Sequence, residues 1–179
     1  SCKGVLPKLD LAIFADTQWE PPAVYRHLEW CKEYASQHGI AVHVRTAGNL
    51  RQDLVDFLGS TRSPDGKRHS LAPFFIKNDD GKKGIIRRQC TNTYKIDVVE
   101  RFIREEVLGL AFRQRWPLET VIEQWIGISS DEAQRRNRSM RPAIVFRYPL
   151  MDDLDMPDGL LTRGYSREDC LRWLAENGF

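Results

Sequence analysis

The feature that most constrains the fold is an alternation of apolar runs and amphipathic segments near the start of the chain. Residues 9–15, LDLAIFA, form a nearly continuous apolar run, which is typical of a strand buried on both faces of a parallel sheet. A helix is predicted over residues 23–38, between a proline and a glycine that suit its two ends. A second strand over residues 40–45 and a second helix over residues 50–58 follow. This order of strands and helices predicts an α/β domain.

The later segments predict a hairpin, a further strand and more helices. Residues 73–87 read as a hairpin with an Asp-Gly pair near its turn, and residues 96–108 have apolar residues at helical spacing. Residues 121–128 have strand-forming side chains, and the SSDEAQRR that follows them predicts a helix start with Ser129 or Ser130 as N-cap. The last helix is predicted after Ser166 as its N-cap, with an aspartate three residues on as a short form of the capping box, and Gly178 ends it.

Composition narrows the class of protein. The chain of 179 residues is 41% hydrophobic, so it can bury a core, and no apolar run reaches the length of about 18 residues that a membrane span needs. The 27 Lys and Arg nearly balance 25 Asp and Glu, and this net charge of +2 argues against a general nucleic-acid-binding surface. The four cysteines are scattered, so neither a disulfide framework nor a complete zinc site is visible. We expect a cytoplasmic protein with no membrane partner.

Asp16 and Thr17 are the first candidate site residues. They directly follow the first predicted strand, and ligands of open α/β sheets bind beyond the carboxyl ends of strands. A carboxylate and a hydroxyl at this place suit a ribose, a metal or a phosphate. The alternative is a turn-forming aspartate.

The stretch RRQCTNTYKI concentrates cations around a thiol. Arg87, Arg88 and Lys95 stand near the start of the predicted 96–108 helix, where they would add to its positive end and favour a phosphate or sulfate ligand. A solvated basic face is the alternative. The same cations favour the thiolate form of Cys90, which is then a nucleophile, a ligand of a metal cluster or a small buried residue.

A third group of candidates lies in WIGISSDEAQRRNRS. Gly127, at a predicted strand end, allows close approach of the backbone to a ligand. Arg135, Arg136 and Arg138 are predicted to lie one to three turns into the following helix, where they could close over an anion. Solvated arginines on a helix surface are the alternative.

Taken in order, four segments resemble the phosphoadenosine phosphosulfate reductase-like branch of the adenine nucleotide alpha-hydrolase superfamily, especially its compact members in phage and prophage genomes. The segments are AIFADTQWEPPAVYRHLEW, RRQCTNTYKI, WIGISSDEAQRR and the terminal region from YPLMDD through the last helix. Four segments in the family's order are specific for the family, although not for one reaction. The predicted fold is a Rossmann-like three-layer α/β/α domain over residues 1–179, with a mostly parallel sheet and a hairpin excursion.

The resemblance implies roles for individual residues. Asp16 and Thr17 resemble the pair that closes one side of the adenine nucleotide site, and Lys95 resembles the lysine that meets the phosphate or sulfate end. Gly127 and Arg135 resemble residues of the family's phosphate-contacting segment. The implied cofactors are ATP or a related adenine nucleotide and Mg²⁺.

The resemblance also implies a metal-cluster role for one cysteine. Cys90 resembles a cysteine that, in sulfate-reducing relatives, belongs to a pair ligating an iron-sulfur cluster, and Gln89 precedes it here. A sulfate reductase also needs a nucleophilic cysteine near its carboxyl terminus, and Cys170, inside a predicted helix, is a poor candidate.

The leading function that the resemblance implies is adenine-nucleotide-dependent group transfer. In this chemistry ATP adenylates a substrate oxygen, pyrophosphate leaves, and sulfur or nitrogen replaces the oxygen, with a nucleic-acid base as a candidate acceptor. Two alternatives stay open: a phosphoadenosine phosphosulfate or adenylyl sulfate reductase, and a non-enzymatic module that binds a nucleotide or a partner. The family's nucleotide loop and CxxC tail would lie outside this sequence, so we expect a piece of a longer protein, with a homodimer as a candidate assembly.

Overall fold

The structure is a computed structural model of the chain. The residues that it describes are 7–59, 75–77, 81, 83–85, 91–151, 164–176 and 178. The predicted loop over residues 60–70 and the candidates Arg87, Arg88 and Cys90 lie outside these residues. The chain divides into two compact units, Ser1–Gly109 and Leu110–Phe179, which are described separately.

The unit Ser1–Gly109 begins with the strand and helix order that the sequence predicts. Its first elements are β1 (Leu11–Asp16), α1 (Pro22–Ser36), β2 (Ala41–Thr46) and α2 (Leu50–Gly59). β1 and β2 are parallel, and Asp16 lies opposite Thr46. α1 begins at a proline and is followed by Gly39, whose φ of 65° lies in the left-handed region that favours glycine. These predicted elements are confirmed.

The hairpin prediction is also confirmed, and the helix after it begins earlier than predicted. β3 (Phe75–Lys77) pairs antiparallel with β4 (Lys83–Ile85). α3 (Asp97–Phe102) lies between two π-helical segments, Asn92–Ile96 and Ile103–Val107. Lys95 therefore lies within the first helical turns, near the helix start as predicted, and only the predicted first residue of the helix was too late.

The early start of this helical segment follows from its buried stripe. Tyr94, Val98 and Phe102 are buried and stand four residues apart, so the apolar face begins at Tyr94 rather than at residue 96. α3 contacts both β1 and β2, and the first π-helical segment contacts β1. Burying each large side chain contributes about 1.5–3 kcal/mol. This packing fixes the first π-helical segment beside the two parallel strands.

The unit Leu110–Phe179 contains a second parallel strand pair. Its elements are β5 (Ile122–Trp125), a 3₁₀ helix (Ser130–Arg135), β6 (Ile144–Arg147) and α4 (Arg167–Glu176). Ile122 lies opposite Ile144. β5 is shorter than the strand predicted over residues 121–128, and β6 was not predicted.

The predicted helix after Ser129 is a short 3₁₀ helix, and this corrects the placement of the arginines. Glu132 has non-helical φ and ψ of −108° and 22°, and Arg136 already has extended backbone at the helix end. Arg136 and Arg138 are therefore outside the helix, because the chain leaves it to form the loop that leads to β6. They do not lie one to three turns into a helix.

α4 confirms its predicted cap. The Ser166 hydroxyl donates to Asp169 Oδ2 at 2.8 Å and accepts the Asp169 N–H at 3.1 Å, while the Ser166 N–H donates to the same carboxylate at 3.1 Å. This is a reciprocal capping box with aspartate in place of glutamate. Gly178, with φ of 74°, follows the helix end.

The described residues form a mixed α/β structure. Their strands make three separate two-stranded sheets, β1–β2, β3–β4 and β5–β6. The α/β class is thus confirmed, whereas a three-layer arrangement around one mostly parallel sheet stays a prediction. Within the described part of the chain, no helix combines the length and apolar character needed to cross a membrane.

Candidate functional site

Polar groups gather at the carboxyl ends of β1 and β2. Asp16 and Thr46 end the two strands opposite each other, and parallel strands place these ends at one edge. The N–H of Leu50, the first residue of α2, donates to the Thr17 carbonyl at 3.0 Å, so α2 begins at the same edge. We call this edge the strand-end site. Its central residues are Asp16, Thr17, Glu20, Tyr25 and Lys95.

The carboxylate of Asp16 is oriented by two donors. Its Oδ1 accepts the Gln18 N–H at 2.8 Å and the Tyr25 hydroxyl at 2.9 Å. Its Oδ2 makes no hydrogen bond or ion pair with a described residue. Burial raises the pKa of Tyr25, and the hydrogen bond to Asp16 adds to the rise against an opposing bond from the Glu20 backbone. Tyr25 therefore stays protonated, and its hydroxyl donates to Oδ1 of Asp16 and fixes the orientation of that carboxylate.

Glu20 joins Thr17 to Lys95. Thr17 is only 3% exposed, and its hydroxyl donates to Glu20 Oε1 at 3.1 Å. Lys95 Nζ lies 3.2 Å from the same oxygen, with its side chain 52% exposed against 19% for Glu20. Thr17 and Lys95, distant in sequence, thus share one partner at the strand end. Sequence reasoning gave Glu20 no role, because nothing in its spacing marks a tertiary contact with residue 95.

A second contact anchors Lys95 through its neighbour. The Tyr94 hydroxyl donates to Asp53 in the first turn of α2. Asn49 caps this helix, because its side chain accepts the Gln52 N–H at 3.0 Å. The capped end of α2 therefore holds Tyr94, and with it the backbone that presents Lys95. Neither Tyr94 nor Asp53 was predicted as a site residue.

The charges described at this edge are mainly acidic. The described residues here include three carboxylates, of Asp16, Glu20 and Asp53, and one lysine, Lys95, which pairs with Glu20. Mg²⁺ binds through one or two carboxylates and the phosphates of its nucleotide, and the second oxygen of Asp16 fits this mode. Asp16 is the residue that would hold Mg²⁺. Among the residues that the structure describes, no group of three or more His, Cys, Asp or Glu side chains could hold a metal by itself.

Gly127 and Arg135 lie in the unit Leu110–Phe179, whereas Asp16, Thr17 and Lys95 lie in Ser1–Gly109. A Cβ at Gly127 would meet nothing within 4 Å, so local packing does not require glycine there. Arg135 Nη1 lies 2.8 Å from Glu132 Oε1 with its side chain mostly exposed. In the described residues Arg135 is thus a partner of a surface ion pair.

The described cysteines are poor nucleophiles. Cys31 in α1 and Cys170 in α4 are free and partly buried. Burial raises the pKa of both thiols, and the nearby carboxylates of Asp169 and Asp131 raise that of Cys170 further. A raised pKa lowers the thiolate fraction at neutral pH. The role of Cys90 as a cluster ligand stays a prediction, since that residue lies outside the described ones.

The assignment of the strand-end site rests on the residues and contacts given above. Comparisons of the chain with protein-family models, with curated proteins and with solved structures found no match.

Proposed function

We propose that the strand-end site binds ATP or a related adenine nucleotide with Mg²⁺, and that the protein uses ATP for group transfer. The observation that carries this proposal is the shared contact of Thr17 and Lys95 with Glu20, beside the oriented carboxylate of Asp16. Asp16, Thr17 and Lys95 are among the residues to which the family resemblance assigns the nucleotide, whereas Glu20 is added by the contacts described above. A Rossmann-like three-layer domain is the fold that we propose for the chain.

Lys95 is the residue that meets the phosphates. A half-exposed ion pair such as that with Glu20 contributes only about 0–1 kcal/mol. A charge-assisted hydrogen bond to a phosphate is worth about 1.5–3 kcal/mol. When a phosphate binds, it is therefore favourable for the Lys95 amino group to leave Glu20 and contact the phosphate. Before binding, Glu20 keeps that amino group at the strand end.

Trp19 supplies an aromatic surface for the adenine. Its side chain is 44% exposed in the loop that follows β1, and its backbone N–H donates to the Thr17 hydroxyl at 3.3 Å. Stacking of a base on an aromatic side chain is worth about 1–3 kcal/mol. Trp19 thus adds apolar contact to a site whose other groups are polar.

In the proposed reaction a substrate oxygen attacks the α-phosphorus of ATP, and the bond from that phosphorus to the bridging oxygen breaks. Pyrophosphate leaves with the bond electrons. A sulfur or nitrogen nucleophile then attacks the activated carbon, and AMP leaves with the original oxygen. Negative charge develops on each leaving group, and a positioned Lys95 stabilises it. The acceptor that we propose is a nucleic-acid base.

Calorimetric titration of ATP into the full-length protein, with and without Mg²⁺, tests the proposal. We expect micromolar binding that depends on Mg²⁺, because the second carboxylate oxygen of Asp16 is a suitable Mg²⁺ ligand. Asp16→Asn should remove most of the Mg²⁺ dependence. Asp10→Asn is the matched control, since Asp10 is exposed and precedes the opposite end of β1.

The outcomes separate the remaining alternatives. Binding accompanied by pyrophosphate release in the presence of nucleic acid supports the enzyme. Binding without turnover of any acceptor would instead indicate a nucleotide-binding module. Absence of ATP binding, or equal effects of the two aspartate substitutions, would overturn the assignment of the site.

A further inference from the structure

A groove of about 740 Å³ in the unit Leu110–Phe179 is lined by β6 and the loop before it. Among the residues that the structure describes, its lining contains four arginines, Arg136, Arg138, Arg141 and Arg147, and no carboxylate. We call it the arginine groove. None of these arginines belongs to the strand-end site.

A buried tyrosine fixes the first part of the loop. The Tyr148 hydroxyl accepts the Asn137 N–H at 2.9 Å and donates to the Asn137 carbonyl at 2.5 Å. The Arg136 guanidinium lies 5.7 Å from the centre of the Tyr148 ring. One side chain thus holds both the backbone of the loop and the place of its first arginine.

The second part of the loop is held by similar means. The Ser139 hydroxyl accepts the Arg141 N–H at 3.0 Å and donates to the Arg141 carbonyl at 3.2 Å. The Arg141 guanidinium lies 5.6 Å from the centre of the Trp116 ring. Because the loop is ordered before a ligand arrives, binding costs less conformational entropy.

The other two arginines, Arg138 and Arg147, can contact a ligand at little cost in free energy. Arg147 Nε lies 3.3 Å from Glu123 Oε2, but both side chains are substantially exposed, and such a pair contributes only about 0–1 kcal/mol. Arg138 is exposed, and its guanidinium makes no hydrogen bond or ion pair with a described residue. Arg138 and Arg147 can therefore contact a ligand without giving up a strong ion pair to a described residue.

We propose that the arginine groove binds the phosphodiester backbone of a single-stranded nucleic acid. Four guanidinium groups exceed what one phosphate requires, and they suit several phosphates along a strand. The volume lies in the range of about 300–1,000 Å³ typical of small-ligand pockets, which suits a few nucleotides of one strand. Guanidinium planes also stack on unpaired bases. The near-neutral net charge argues against a general nucleic-acid-binding surface, so we expect this binding to be local to the groove.

The binding of a strand by the groove does not rest on the proposed function. The test is fluorescence anisotropy of short labelled RNA and DNA strands of one sequence, titrated with the full-length protein at several salt concentrations. Arg138→Glu should weaken binding about tenfold or more and lower the slope of log affinity against log salt by about 0.7 or more. Arg172→Glu, an exposed arginine of α4 outside the groove, should change affinity less than about twofold.

Each outcome decides for or against the groove. Binding of either the RNA or the DNA strand with the expected variant effects supports the proposal. The strand that binds more tightly shows whether the groove prefers ribose or deoxyribose. Equal losses of affinity for Arg138→Glu and Arg172→Glu, or absence of strand binding, would overturn the proposal. It would also be overturned if ATP in the groove, or a duplex, bound as tightly as the single strand. Lys95→Met should leave the affinity for the strand unchanged, and Arg138→Glu should leave the affinity for ATP unchanged. The failure of the ATP-site proposal and the failure of the groove proposal can therefore be distinguished.

Discussion

Replacing Lys95 with methionine removes the cation of the strand-end site while keeping a long side chain and good helix propensity. Among the described residues, the Lys95 amino group pairs only with Glu20, and the side chain is half exposed. The free energy of unfolding should therefore fall by no more than about 1 kcal/mol. A large loss of nucleotide affinity would then report on the ligand contact rather than on the fold.

The expected loss of affinity follows from two opposing contributions. The bond from Lys95 to a phosphate is worth about 1.5–3 kcal/mol, and forming it gives up an ion pair with Glu20 worth about 0–1 kcal/mol. The difference of about 0.5–3 kcal/mol corresponds to roughly 2- to 140-fold in the dissociation constant. Near the middle of this range, Lys95→Met should weaken ATP binding by more than about tenfold.

Calorimetric titration of Mg²⁺-ATP into the wild-type protein and two variants measures this loss. Lys32→Met is the matched control, because Lys32 pairs with Glu29 at 2.7 Å on the surface of α1 and loses the same charge. We expect wild-type affinity for this control. Unchanged affinity of Lys95→Met would remove Lys95 from the site, and equal losses in both variants would refute the local contact.

Three further predictions test other parts of the structure. Ser166→Ala breaks the capping box with Asp169 and should lower the free energy of unfolding by about 1 kcal/mol in urea denaturation. Since burial, Asp169 and Asp131 raise the pKa of Cys170, its alkylation by iodoacetamide at neutral pH, followed by peptide mass spectrometry, should be slower than that of an exposed thiol. Hydrogen bonds from Ser129 and from the backbone at the start of α4 lower the pKa of Asp131. Its stabilising effect is therefore present above about pH 4 and is lost as pH falls through its folded-state pKa, so Asp131→Asn should reduce the acid-side loss of stability.

Each of these predictions has a clear contrary result. Ser36→Ala, which removes an exposed hydroxyl bonded to a carbonyl at the end of α1, should cost less than Ser166→Ala, and an equal cost would argue against the cap. Alkylation of Cys170 at the rate of a free thiol would show that the site is open and would revive a nucleophilic role. An unchanged acid-side slope in Asp131→Asn would mean that its hydrogen bonds do not couple to folding.

The predictions that succeeded rest on short-range signals. The nearly continuous apolar run of residues 9–15 is typical of a strand, and Gly39, whose φ is positive, follows the end of α1. Ser166 and the aspartate three residues on signal the cap of α4 directly. In each case the residues that determine the structure lie within a few positions of one another.

The features that were missed depend on contacts between distant residues. Glu20 acquires its role only when the π-helical segment brings Lys95 to the strand end. Arg138 leaves the predicted helix because the backbone of the loop is held by Tyr148, a residue of the segment after β6. The spacing of residues along the sequence predicts neither contact.

The most direct test of the central claim is a two-dimensional NMR titration of the isotope-labelled full-length protein with Mg²⁺-ATP. We predict amide shift changes that concentrate on Asp16 to Glu20 and on Tyr94 and Lys95, and that disappear when Mg²⁺ is chelated. Shift changes absent from these residues, whether confined to other segments or missing altogether, would contradict the strand-end site.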